Sequence, residues 1–330
     1  MKLAFVTQVV DENDPALGAT VAKVRALAGR ADEVVVLCLS AVPTSLPENV
    51  RVRTFGAGST LRRGATLLWL LARERPDAVI THMSPMYALV AAPVIRPRRV
   101  PLALWFTHWR RSGLLRAAER VSTVVLSVDP RSFPLPSRKL VAVGHGVTVE
   151  DPVQRAAADG ALHLLALGRT SPSKGLETIV DAVDRLDGVE VELRGPSFTA
   201  EERDERARLV ARGARVEPPV SHTEIRGVYE QVDVLVNNMR AGALDKVVYE
   251  AAALGLPVLV ASEGFDSLVG GIEPALRFRQ DDVSSLAERI GALADVGAAR
   301  RRAIGMELRE RVIRDHSVEH WADAVVEALR

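Results

Sequence analysis

Short runs of β-branched and aliphatic residues alternate along nearly the whole chain with segments whose apolar positions recur at three- and four-residue spacing. That is the pattern of parallel strands joined by crossover helices. In the first half, strand-like runs cover 2–9, 33–39, 50–55, 77–81, 100–106, 122–127 and 139–143, and helical spacing covers 18–29, 60–75, 86–95 and 112–120. This order predicts a complete doubly wound α/β domain over 1–150. The stretch TVEDPVQRAAADG, 148–160, is polar and alanine-rich with a proline, and reads as a linker. Alternation restarts at LHLLALG, with strands at 189–194, 233–237 and 257–261 and helices at 173–186, 200–212, 223–231 and 244–254. The chain is helical from 283 onward, which sets a second domain at 160–315 and leaves a final helix near 316–330 free to pack back on the first. Two such units in tandem predict an α/β fold of two doubly wound domains facing across a cleft at the carboxyl ends of their sheets.

Composition narrows the class of function without naming it. A chain of 330 residues exceeds the usual growth of a single core, consistent with two domains of roughly 150 residues each. Aromatic residues make up only 4%, and 43 Lys+Arg stand against 42 Asp+Glu, so neither a base-stacking surface nor bulk charge points to nucleic acid. Cys38 is the single cysteine and can form neither an internal disulfide nor a cysteine-rich zinc site, which suits the reducing cytoplasm. The N-terminal MKLAFVTQVV lacks the extended apolar region and cleavage site of a secretory signal. The longest stretch free of acidic and basic residues, 78–95, contains His82, Ser84, Pro85 and Pro93, and reads as a buried strand, a turn and a short helix. Arginines 62, 63, 73 and 75 around GATLLWLLA, with RPRR and WRRSGLLR, are compatible with weak peripheral contact at the inner face of a membrane; a core helix with solvated arginine ends is the plainer reading.

Three stretches carry candidate chemistry. GAGSTL, 56–61, lacks the last glycine of a dinucleotide fingerprint and reads as an ordinary turn. GRTSPSKG, 168–175, resembles a Walker A loop but has Ser173 before Lys174 and Gly175 after it, so neither the amide cradle nor the magnesium-binding hydroxyl is in place. It leaves a strand and enters a helix at about Ser173, with Arg169 and Lys174 nearby. Either free amides and two cations grip an anion there, or a capped helix carries two solvated basic residues. The third stretch is AGALDKVVYEAAALGLPVLVA, 241–261. Leu244, Val247, Val248, Ala251 and Ala252 form one apolar face, Gly242 precedes the helix, and Glu250 lies off the face one turn after Lys246. Glu250 is then either a weak surface partner of Lys246 or a carboxylate suited to accept two ribose hydroxyls.

GRTSPSKGLETIVDAV followed by DKVVYEAAALGLPVLVAS resembles the donor half of the retaining GT-B glycosyltransferases of family 4, two Rossmann-like domains, and the likeness extends over most of 162–262. The resemblance implies that Gly168, Arg169 and Lys174 hold the diphosphate of a nucleotide sugar and Glu250 the ribose, with Gly195 and Val220 along the nucleotide and Gly242, Leu244, Asp245 and Lys246 beside it. VTQVVDENDPALGATV resembles the family's first glycine loop and implies a donor contact for Gly18. WFTHW implies a catalytic-site role for His108, and VGHGVTVE resembles the domain-boundary segment with His145 in place of asparagine. One departure stands out. Where the family has a second glutamate, eight positions before Glu250, this chain has Gly242, so the usual contact to the sugar is absent or falls to a neighbour such as Asp245.

The resemblance implies transfer of a sugar from a nucleoside diphosphate sugar to an acceptor hydroxyl with retention of anomeric configuration. Arg169, Lys174 and the amides before Leu244 would stabilise the departing diphosphate without metal or other cofactor. A nucleotide-sugar epimerase, a phosphorylase, or a non-catalytic subunit of the same architecture are the rival readings. Donor base, sugar, acceptor and oligomeric state are not written in the sequence.

Overall fold

The computed structural model describes every residue except 15, 16, 154–159, 222, 223 and 241. The centre of the expected linker, the expected helix start at 223 and the first residue of the AGALD stretch thus lie outside the described residues. Two compact units appear, one made of Met1–Thr148 with Asp315–Arg330 and the other of Val149–Arg314.

In the first unit the chain runs β1 (Lys2–Val10), α1 (Thr20–Ala28), β2 (Glu33–Ala41), β3 (Val50–Thr54), α2 (Thr60–Glu74), β4 (Ala78–His82), α3 (Pro85–Ile95), β5 (Leu102–Trp105), α4 (Gly113–Val121), β6 (Val124–Ser127) and β7 (Leu140–Ala142). All seven strands are parallel, in the order β3-β2-β1-β4-β5-β6-β7. Helices cover both faces, so the central strands are continuous apolar runs; every residue of β4 is buried. GAGSTL is the turn into α2: Ser59 caps that helix by accepting from the Arg62 amide. The helix stops at Arg75 in the left-handed region, just before Pro76. Leu67, Leu70 and Leu71 of α2 and Tyr87 and Ala91 of α3 pack on one sheet face, and Leu115 and Ala118 of α4 extend that layer over β5 and β6.

The second unit runs β8 (Leu162–Leu167), α5 (Leu176–Val183), β9 (Val189–Arg194), α6 (Ala200–Ala211), β10 (Arg215–Glu217), α7 (Ile225–Tyr229), β11 (Val234–Asn237), α8 (Lys246–Ala253), β12 (Val258–Val260), α9 (Asp266–Val269), α10 (Val283–Asp295) and α11 (Gly297–His316). Its five parallel strands are ordered β10-β9-β8-β11-β12, the Rossmann arrangement in which the chain reverses direction between β8 and β11. Three expectations need correction. Edge strand β10 is only three residues long, too short to show a period, and was not anticipated. The helix expected from 173 begins at Leu176, because Pro172–Lys174 forms a single 3₁₀ turn and Gly175 then adopts a left-handed backbone (φ 54°). The helix expected from 244 begins at Lys246, where Asp245 is the last extended residue.

The last helix, α12 (Val318–Ala328), belongs to the first unit. The amides of Gly146 and Val147 donate to the His316 carbonyl at 3.0 and 2.9 Å, and the Val318 amide donates back to Val147 at 2.9 Å. Ser317 caps α12 through the His320 amide. Trp321 is fully buried, edge-on to Trp105 at 5.8 Å, and Arg30 forks Asp323 at 2.8 and 3.1 Å. Trp321→Ala therefore leaves a large cavity in this unit and is expected to cost about 3–5 kcal/mol, read by far-UV circular dichroism during chemical denaturation.

At the first unit's own reversal point, between β1 and β4, Thr7 and His82 share a hydrogen bond of 3.1 Å (Oγ1 to Nδ1). Burial, assisted by the positive charge of Lys23, drives the His82 pKa down from 6.5 to about 3. Above pH 6.5 neither state binds this proton. Between 6.5 and 3 only the unfolded chain takes it up, so stability falls as pH falls, by about 1.4 kcal/mol per unit, and the loss is complete below 3. The stability difference between wild type and His82→Asn, followed by urea denaturation from pH 7 to 4, is expected to show that slope.

Candidate functional site

The carboxyl ends of β8 and β11 form the reversal point of the second sheet, where adjacent loops diverge and leave room for a ligand. β8 is followed by Gly168, whose amide donates to the Arg194 carbonyl at 2.9 Å. Gly168 has φ 129°, and a Cβ there would lie 2.6 Å from the Lys174 ammonium. Gly195, at the end of β9, has φ 154°, and its Cβ would lie 1.9 Å from the Gly168 carbonyl. The two strand ends meet because neither residue carries a side chain, and the lysine occupies the space that results.

Lys174 projects from the 3₁₀ turn back toward β8. Its side chain is only 12% exposed; the ammonium is ion-paired with Asp245 and faces the Leu167 carbonyl at 3.4 Å. Asn237, the last residue of β11, donates from Nδ2 to the same Asp245 carboxylate at 3.1 Å and accepts the Met239 amide. The next residue, Asn238, is buried and works as a clamp. Its Nδ2 donates to the Gly175 carbonyl at 3.1 Å and to Asp281 at 2.9 Å, while its Oδ1 accepts the Asp281 amide at 3.1 Å. The backbone after Lys174 is thereby tied to the end of β11.

Arg169 behaves differently. It is half exposed, and its guanidinium donates to Glu202 at 2.5 Å and lies over the Phe198 ring at 5.1 Å. Glu202 belongs to the capping box of α6 with Thr199. Burial pulls its carboxyl upward, and the amides of Phe198 and Thr199 with the Arg169 guanidinium outweigh that, so it titrates below the ordinary glutamate range. The two cations of GRTSPSKG thus lean to opposite neighbours of β8: Arg169 toward the loop after β9, Lys174 toward the loop after β11.

On α8, Lys246 and Glu250 form an i,i+4 pair at 2.7 Å with Glu250 only 14% exposed. Leu244 is buried, close to Gly264. Gly242 has a left-handed backbone (φ 79°), and the Ala243 amide closes a turn onto the Arg240 carbonyl at 3.2 Å. Val220 is half-buried in the loop after β10. Fully buried Tyr229 has its pKa raised well above 10, by burial first and then by the charges of Glu250 and Asp245.

In the first unit, Gly18 precedes α1 by two residues, its amide donating to the Asp14 carbonyl at 3.0 Å. His108 lies in the exposed loop after β5. Its Nδ1 accepts the Arg110 amide at 2.9 Å, which leaves Nε2 as the protonated nitrogen of the neutral ring, and it stacks on Trp109 at 5.3 Å. Burial against its neighbours and then the Arg110 charge hold its pKa below the ordinary histidine value. Of the residues singled out from the sequence, Gly168, Gly195, Lys174 and Asp245 come together. Arg169 is drawn aside, Lys246 and Glu250 pair on α8, and Gly18 and His108 sit in the other unit. Asn237, Asn238, Tyr229 and Asp281 were missed; two adjacent asparagines closing the apolar run VDVLV were the available signal. Among the described residues no three of His, Cys, Asp and Glu converge to hold a metal ion.

Residues 161–295 match the family model for glycosyl transferases group 1. No curated protein matches the sequence. Among solved structures, the sucrose-phosphate synthase (tll1590) of Thermosynechococcus elongatus is similar at a TM-score of 0.79 and 18% identity, over 99% of this chain and 98% of that one. A glycosyltransferase from Rickettsia africae ESF-5 gives 0.78 and 13%, over 99% and 97%. Anabaena Alr3699/HepE, solved in complex with UDP and glucose, gives 0.76 and 16%, over 100% and 99%. The chain has the GT-B fold of two Rossmann-like domains, and its segment 161–295 is similar to the glycosyl transferases group 1.

Proposed function

We propose that the chain transfers a glycosyl group from a nucleoside diphosphate sugar to an acceptor hydroxyl, with retention of configuration. The observation that carries this reading is Lys174, held by Asp245 at the reversal point of the second sheet, beside strand ends that only glycine can form. Asp245 balances the ammonium. A diphosphate brings more negative charge and more acceptor oxygens than one carboxylate, so it competes for Lys174 and frees Asp245 for sugar hydroxyls. Arg169, half exposed, swings from Glu202 to the same diphosphate, and Glu250 leaves Lys246 to accept the ribose hydroxyls.

In the reaction the bond from the anomeric carbon to the β-phosphate oxygen breaks as the acceptor oxygen bonds to that carbon on the same face. The departing phosphate oxygen takes the acceptor proton, so no protein base is required. Charge grows on the diphosphate as the bond breaks, and a cation already aimed there favours the transition state over the ground state. No metal or other cofactor enters this scheme, and the reaction takes place in the cytoplasm. The neighbour solved with UDP and glucose makes UDP-glucose the first donor to try.

Two experiments test it. A selective nucleoside diphosphate at a hundred times its Kd is expected to stabilise the protein by about 2.7 kcal/mol in a thermal-shift screen, and Lys174→Ala is expected to abolish that response; an unchanged shift in the variant refutes the phosphate assignment. His108→Ala is expected to keep nucleotide binding and lose acceptor-dependent release of nucleoside diphosphate. Equal turnover in wild type and variant would remove His108 from the catalytic set.

A further inference from the structure

Charge in this protein is unevenly distributed. The chain as a whole carries +1, yet residues 60–121, which build the layer of α2, α3 and α4, contain eleven arginines, no lysine and three carboxylates, a local charge of +8. The three carboxylates are turned to other partners: Glu74 is buried against Lys2 and Arg51 at 2.8 and 3.0 Å, Asp77 accepts the Lys2 amide, and Glu119 accepts from Ser137 and faces Lys139. All eleven arginines are exposed, and none is in an ion pair among the described residues.

The same layer is apolar where a solvated helix surface is ordinarily polar. Leu67, Leu70 and Leu71 of α2 face the core, and the opposite face presents Leu61, Ala65, Trp69 and Ala72, with Leu61 88% and Trp69 56% exposed. α3, PMYALVAAPVI, has no charged side chain at all and exposes Met86 and Pro93. Leu114, in the first turn of α4, and Trp109, in the loop before it, are each 41% exposed. Arginines flank these positions: 62, 63, 73 and 75 on and after α2, 96, 98 and 99 after α3, 110 and 111 before α4, and 116 and 120 along it. Arg73 lies over the Trp69 ring at 5.2 Å, so even the largest exposed side chain is paired with a cation.

We propose that the α2–α3–α4 layer of the first unit is a docking surface for a bilayer bearing anionic phospholipid. Guanidinium groups fork the phosphodiesters while Leu61, Trp69, Met86 and Leu114 enter the boundary between headgroups and acyl chains. No helix among the described residues is long and apolar enough to cross a membrane, so the chain lies on the surface. A nucleic acid would satisfy the arginines but would leave the aliphatic side chains in water, and the interleaving of both kinds favours lipid. This inference does not depend on the glycosyl-transfer reading.

The four tryptophans give the assay. Trp105 and Trp321 are buried, whereas Trp69 is exposed on α2 and Trp109 in the loop that precedes α4. The full chain, mixed at low salt with phosphatidylcholine vesicles containing phosphatidylglycerol, is expected to co-sediment and to shift its tryptophan emission to the blue. Vesicles of phosphatidylcholine alone are expected to do neither, and about 0.5 M salt to reverse both effects. Arg73→Ala with Arg98→Ala is expected to weaken binding by roughly tenfold to thirtyfold, and Trp69→Phe to remove much of the shift while circular dichroism stays unchanged. Equal binding to both vesicle types, or a double variant that binds as wild type does, would overturn the proposal. So would displacement from the vesicles by duplex DNA at equal phosphate concentration, which would give the surface to nucleic acid.

Discussion

The second unit is organised around one ammonium group. Lys174 reaches the end of β8 because Gly168 has no side chain to exclude it, and it stays there because Asp245 neutralises it and Asn237 fixes Asp245. Taking a cation this far out of water is unfavourable unless it is paired, so the carboxylate is as much a part of the fold as the lysine. The helix is broken at Gly175, Asn238 ties that break to β11, and α8 starts only after Asp245 has been presented. Each of these local irregularities follows from placing one charge at the sheet's reversal point.

Arg169 shows that neighbours in sequence need not act on one spot. It sits six positions from the end of its own octapeptide, yet Glu202 and the Phe198 ring hold it toward β9 while Lys174 is held toward β11. Both cations carry a resident carboxylate, so an arriving anion would exchange partners rather than create charge contacts from nothing. The two pairs neutralise the loop within the fold itself.

The first unit uses the same topology for other ends. Its reversal point is closed by a neutral, buried His82 bonded to Thr7, and its outer helical layer gathers the arginines that the near-zero net charge of the chain conceals. Average composition is a poor guide to local fields: an overall charge of +1 coexists with +8 over sixty-two residues because the balancing carboxylates lie elsewhere in the chain.

The sequence by itself determined the fold class, because buried parallel strands and amphipathic crossover helices leave periods that survive in one dimension, and it marked the glycines and cations of the loop after β8. Tertiary structure decided the partners. Nothing in the spacing of GRTSPSKG says that Lys174 will meet Asp245, seventy-one residues away, or that Arg169 will turn to Glu202, since these pairings depend on strand order and β10, the edge strand, is too short to register. The asparagines at the end of β11 mark only the close of an apolar run, for the same reason: a side-chain amide has no period, and its value appears only when the two loops it joins are brought within hydrogen-bond reach.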